Sequence, residues 1–207
     1  MPARGDHEQR RRDVARTAAE LVATGGLAAA THRRIAEASG CSTTVVSHYF
    51  TDKRDLIKAT YTEVGERVTA RLDVAGESAD SLQSILEALL PLDEDRIRDW
   101  RLLFTFLGLA ATDTELSAEQ RARATTARHR IEQAVAAEQH AGRLRRDIDA
   151  EAVGRLLLAV VLGIGMQALF DPADWPHDRI RDTLNRALAG LSPGMQDRSD
   201  GRPNHRR

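Results

Sequence analysis

Residues 31–53 read THRRIAEASGCSTTVVSHYFTDK, and the way periodic and broken stretches alternate in them decides the fold. Thr31 is an N-cap residue type, with Ile35, Ala36 and Ser39 forming a small, mostly apolar face behind it. Gly40 interrupts that pattern and can take the positive φ that ends a helix in one residue. Ser42 recaps at once, and Val45, Val46, Tyr49 and Phe50 recur at helical spacing. Two helices of about two turns each bury too little surface to stand alone, so they must lean on neighbours. Helix, glycine turn, helix is also the shape that lays its second helix in a DNA major groove.

The surrounding composition fits. At 207 residues the chain can bury one sizeable core or two small ones, and its Ala, Leu, Arg and Glu content favours helix. The net charge of −1 argues against a nucleic-acid binder until its distribution is read. Residues 1–60 carry ten Arg or Lys against seven Asp or Glu, and the acidic excess falls in the remainder. Cys41 is the single cysteine, so no intrachain disulfide forms, and a small apolar packing role is expected of it. The first residues are polar and charged, unlike a signal peptide, and the apolar run at 156–169 is too short to span a bilayer. A cytoplasmic protein with no membrane partner is expected.

Residues 1–5 read as a loose arm, with Arg4 a candidate to follow the minor groove. A helix is predicted over 8–24, burying Val14, Ala15, Ala18, Leu21 and Val22 and stopping at Gly25-Gly26; Arg10, Arg11, Arg12 and Arg16 lie in its first half. Thr51 or Asp52 caps a long helix to about residue 74, striped by Leu56, Ile57, Tyr61, Val64 and Val68. Further helices are predicted over 81–90, ended by Pro91, and over 93–111. A helix from the capping box Ser117-Ala-Glu-Gln120 runs to about 141. Another spans 152–170, apolar on nearly every side, and Pro176 opens the last, striped by Ile180, Leu184, Ala187, Leu188 and Leu191. Residues from 192 onward read as a disordered tail. The fold class is all-α with about nine helices. Residues 1–50 form a three-helix helix-turn-helix DNA-binding domain, 51–75 a linking helix, and 76–191 a helical body.

Other chemistries fit poorly. Gly163-Ile-Gly165-Met-Gln-Ala168 matches a dinucleotide fingerprint with Asp182 further on, as in an NAD(P)-dependent Rossmann-type oxidoreductase, but no strand precedes it. His129 and His140 share nearly one helix face without the ligands that would complete a metal site. No nucleophile constellation stands out, so neither an enzyme nor a cofactor is expected. A helical interaction module without DNA binding would leave the basic first third unexplained.

The stretch T-x-R-R-I-A-E-A-S-G-C-S followed by H-Y-F-x-D-K-x-x-L resembles the DNA-binding head of TetR-family transcriptional regulators, over about 50 residues. Thr31, Ile35, Ala36, Gly40, Ser42, Phe50, Lys53 and Leu56 all stand at family spacing. Residues 142–149 resemble the junction before the penultimate helix. STTVVSHYF is nearest to the betaine-operon, choline-responsive repressors. The departures are Ser47, where many members have an aromatic, and Tyr49, where many have His. On the second helix Thr43 and Thr44 can offer a hydroxyl to either base class and a methyl to thymine, whereas Val45 offers apolar contact only. Arg33 can make a bidentate guanine contact or grip phosphate. The resemblance implies phosphate contacts from Lys53, His48, Tyr49 and Thr31, and places Ser42 and Ser47 on the same surface.

It also implies a homodimer through the last two helices, to which Leu156, Leu157, Val160, Val161, Ile164, Leu184 and Leu188 contribute apolar surface. Such a dimer reads a palindromic operator in double-stranded DNA. A pocket for an unknown small-molecule effector is implied, for which Trp100, Phe104, Leu107, Met166 and Phe170 are candidates, with His129 and Gln167 as polar handles. Repression released by an inducer is the family default; activation is the alternative.

Overall fold

The computed structural model describes residues 4–78 and 80–193, with side chains from residue 7 onward. Nine α-helices follow one another among them: α1 (Arg4–Gly25), α2 (His32–Ser39), α3 (Thr43–Tyr49), α4 (Lys53–Gly76), α5 (Ser81–Leu89), α6 (Glu94–Ala110), α7 (Thr114–His140), α8 (Ala150–Phe170) and α9 (His177–Ala189). A single 3₁₀ turn, Leu27–Ala29, joins α1 to α2, and no strand occurs in the described residues. The all-α expectation holds. Two compact units emerge, residues 1–74 with 91–125, and residues 75–90 with 126–207.

In the first unit, α1 buries Val14, Ala15, Ala18, Ala19 and Val22 in one cluster with Ile35 and Ala36 of α2, Val46 and Phe50 at α3, Leu56 and Val64 of α4, and Leu102 of α6. Small side chains along α1 let its neighbours approach closely. Cys41, half-buried, packs against this cluster as a small apolar residue. A second cluster joins Ile57 and Tyr61 of α4 to Phe106, Ala110 and Leu116. Asp99 of α6, 4% exposed, receives Arg67 and Arg71 of α4, the latter at 2.8 Å. Two guanidinium groups thus satisfy a carboxyl group buried inside the unit.

Tyr61 stacks on Phe106 with ring centroids 3.5 Å apart, donates to Gln120, and carries the Arg123 guanidinium 4.7 Å from its ring centroid. A Cβ on Gly65 would collide with that guanidinium, so this glycine is the notch that seats it. Burial pushes the Tyr61 phenol up to about 12. The unfolded chain ionises near pH 10, so between 10 and 12 it binds fewer protons than the folded one. Stability therefore falls across that window, by at most about 1.4 kcal/mol per pH unit. Tyr61→Phe is expected to remove this part of the alkaline loss, checked by urea unfolding at successive pH values.

The second unit is held by α8 and α9. The inner face of α8 carries Val153, Leu157, Val161, Ile164 and Ala168, and α9 answers with Ile180 and Leu184. Gly142, at φ 74, ends α7. The Gln139 amide then pins the following loop by donating to the carbonyls of Arg145 (2.9 Å) and Ile148 (2.8 Å).

Three boundaries depart from the sequence reading. The arm expected at 1–5 is helical from Arg4, whose side chain, like residues 1–3, lies outside the described residues. α7 starts at Thr114 rather than at the Ser117 capping box, because the Asp113 carboxylate accepts the N–H groups of Glu115 and Leu116 (both 3.0 Å). α8 extends to 21 residues, so by length and composition it is long enough to cross a membrane, unlike the shorter run seen in the sequence. The tail expected from 192 lies, from 194, outside the described residues.

Candidate nucleic-acid interface

The geometry of α2 and α3 follows from three local devices. Thr31 Oγ1 accepts the Arg34 N–H (3.3 Å), and Ser42 Oγ accepts the Val45 N–H (3.3 Å). Each cap is worth about 1 kcal/mol, and neither uses its hydroxyl hydrogen, which stays able to donate to an anion. Between them Gly40, at φ 64, takes the left-handed turn that sends α3 off at an angle from α2.

Val46 and Phe50 point into the core, and this fixes which side of α3 faces water. Thr43, Thr44, Ser47 and His48 are exposed, while Val45 and Tyr49 are half-buried at the margins. Ser47 Oγ lies 3.2 Å from His32 Nδ1, tying the outward face of α3 to the first residue of α2. Arg33 extends into solvent and pairs with Glu37 at 3.6 Å, a helical pair weak enough to be exchanged for another anion. Lys53, also exposed, is the first residue of α4, which Asp52 caps by accepting the Asp55 N–H (2.8 Å). The ten residues proposed from sequence thus lie on or beside two short helices and the head of a third. That surface offers hydroxyls, imidazole and cations, and α3 itself carries no Arg, Lys, Asn or Gln.

The sequence reading missed two histidines. His32 supports Ser47, and His7 of α1 places its ring against Tyr49 (centroids 4.8 Å apart) and His48 (5.7 Å). Arg11, one turn further along α1, covers the Phe50 ring at 5.5 Å. Only the 3.6-residue period linking His7 to Arg11 could have hinted at this, since the contacts span some forty residues.

The candidates for an effector pocket are dispersed. Trp100 is buried, with Phe104 at 6.0 Å between rings and Leu107 half-buried, all on α6 in the first unit. Met166, Gln167 and Phe170 face outward from α8 in the second unit, and His129 is exposed with Nδ1 2.7 Å from Glu132. Within the second unit an open groove of about 370 Å³ lies elsewhere, lined by Leu82, Gln83, Glu138, Leu144, Asn185 and Leu188 among others. Arg143 donates to both oxygens of Glu138 (2.6 and 2.8 Å) and holds its carboxyl below the usual range.

Residues 15–60 match the profile of bacterial regulatory proteins of the tetR family, and residues 78–193, more than half the chain, match that of the BetI-type transcriptional repressor C-terminal domain. The chain belongs to the TetR family. This TetR-family member is 26% identical over 195 residues to the HTH-type transcriptional regulator PksA of Bacillus subtilis, covering 92% of this chain and 94% of that one. It is 31% identical over 129 residues to BetI of Stenotrophomonas maltophilia, covering 59% and 65%. Among solved structures, a transcriptional regulator from Saccharomonospora viridis in complex with choline superposes with a TM-score of 0.82 at 20% identity, over 90% of this chain and all of that one. The family is one of transcription regulators, and the TetR-family resemblance read from residues 31–56 is confirmed.

Proposed function

We propose that this regulator is a homodimeric repressor that grips a palindromic operator through Thr31, Arg33, Ser42, Thr43, Thr44, Val45, Ser47, His48, Tyr49 and Lys53 and is released by a small-molecule inducer. The observation that carries the reading is the division of α3: Val46 and Phe50 are fully buried while Thr43, Thr44, Ser47 and His48 stand in water. A helix anchored on one face, short, and fronted by cations has the form that enters a major groove. In this reading residues 1–50 recognise DNA, 51–75 connect, and 76–191 sense and dimerise. The protein works in the cytoplasm, without catalysis, cofactor or membrane.

Dimerisation is supported by the outward face of α8. Leu156 is 54% exposed, Met166 44% and Phe170 72%, forming with Ala152, Ala159 and Gly163 an apolar stripe along that face. Met166 and Phe170 are accordingly assigned to this face rather than to a pocket. The effector is sought first among quaternary ammonium compounds, because the Saccharomonospora relative carries choline; Trp100, Phe104 and Leu107 are the apolar candidates to meet it.

The test is selection of bound sequences from randomised duplexes, followed by anisotropy titration of the winner at several salt concentrations. Lys53→Ala is expected to weaken binding evenly across sequences and to lower the salt slope by about one. Arg33→Ala and Thr43→Ala should relax preference at particular base pairs, by about 1–3 kcal/mol each where the contact is to a base edge. A chain that retains no duplex selectively at any salt concentration refutes the assignment.

A further inference from the structure

We propose that His7 belongs to the DNA-contacting surface, where it and His48 form a proton-dependent clamp on the operator backbone. The proposal rests on the DNA-binding reading above. It starts from an arrangement that packing does not explain: two exposed imidazoles, one from α1 and one from α3, stand nearly perpendicular with centroids 5.7 Å apart. Tyr49 is the shared wall, edge-on to His7 at 4.8 Å and 5.7 Å from His48. The phenol steers both rings without neutralising either.

A neutral imidazole offers one N–H donor, whereas imidazolium offers two and a positive charge. Imidazole is also the side chain that ordinarily changes charge near neutral pH. The groups that face the pair come from three elements. α3 supplies the Tyr49 phenol in ring contact, α1 supplies Arg11 over Phe50 one turn beyond His7, and on α4 Asp55 feels the charges of Lys58 and Arg11. A phosphate brought onto the pair favours the charged form of each ring, so binding DNA draws protons onto His7 and His48. Affinity for any duplex then falls as pH rises through neutrality, because the bound state holds more protons than the free one.

The test uses the full chain and a fluorescein-labelled duplex of mixed sequence, since a backbone clamp is indifferent to base order. Anisotropy is measured at pH 6, 7 and 8 at constant ionic strength. Affinity is expected to fall about tenfold or more from pH 6 to pH 8 for the wild type, and distinctly less for His7→Gln. His7→Arg, permanently charged, should bind more tightly than wild type at pH 8 and lose the pH dependence assigned to residue 7. His140→Gln, at the end of α7, should keep the wild-type profile. If His7→Gln and His7→Arg both retain the full wild-type slope, or if wild type shows no slope, the clamp is overturned while the DNA-binding reading stands. If no duplex is retained at any pH, both fall together.

Discussion

Phe50→Ala lowers the unfolding free energy by about 3–5 kcal/mol and abolishes DNA retention with it. Phe50 is fully buried directly after the last turn of α3, in one cluster with Val14, Ile35, Val46 and Leu56, and the Arg11 guanidinium covers its ring. Removing the ring opens a cavity beneath α3 and beneath α1 together. Thr43→Ala supplies the contrast, since its side chain is exposed and stability should stay within about 0.5 kcal/mol while duplex affinity changes. Urea unfolding followed by far-UV circular dichroism, paired with anisotropy, separates the two. An unchanged urea midpoint for Phe50→Ala would remove the claim that this ring anchors the head.

Leu156→Asp combined with Met166→Asp is expected to convert the proposed dimer to monomers at micromolar concentration. Both side chains are substantially exposed in the protomer, so the folded unit tolerates them and its melting temperature should hold. On a two-fold axis the same pair appears from each copy, placing four carboxylates in a dry, self-complementary surface. An uncompensated buried charge is costly enough for at least a hundredfold loss in dimer affinity, about 3 kcal/mol. Operator binding should fall further, by about 10²–10⁴, because the second head no longer arrives at the high effective concentration of a linked pair. Sedimentation velocity reads the first effect and anisotropy the second. A variant that still sediments as a dimer would show that the stripe on α8 is not the interface.

How far the sequence could be read depended on the range of the interaction. The caps at Thr31 and Ser42 and the turn at Gly40 act over three or four residues, and each was legible because the residue type is demanded by the local backbone. The start of α7 was misplaced since two capping acceptors lay four residues apart and the charged one, Asp113, prevailed. α8 hides its orientation because a helix apolar on nearly all sides gives a period without a phase, and only the structure shows that Met166 and Phe170 lie on its exposed face. Pairings such as Asp99 with Arg67 and Arg71, or Arg123 resting on Tyr61 against Gly65, link distant positions through side-chain reach alone and leave no local mark. The same holds for His7 and Tyr49.

Leu102 shares a cluster with α1, and residues 91–125 belong to the same compact unit as 1–74. Anyone cutting out the reading head for a chimera at the end of α4 would therefore strip α1 of part of its covering and harvest a sticky stump. A transplant onto a foreign sensor must carry α6 and the opening turns of α7 as cargo, a requirement that no linear boundary drawn near residue 50 or 75 would meet.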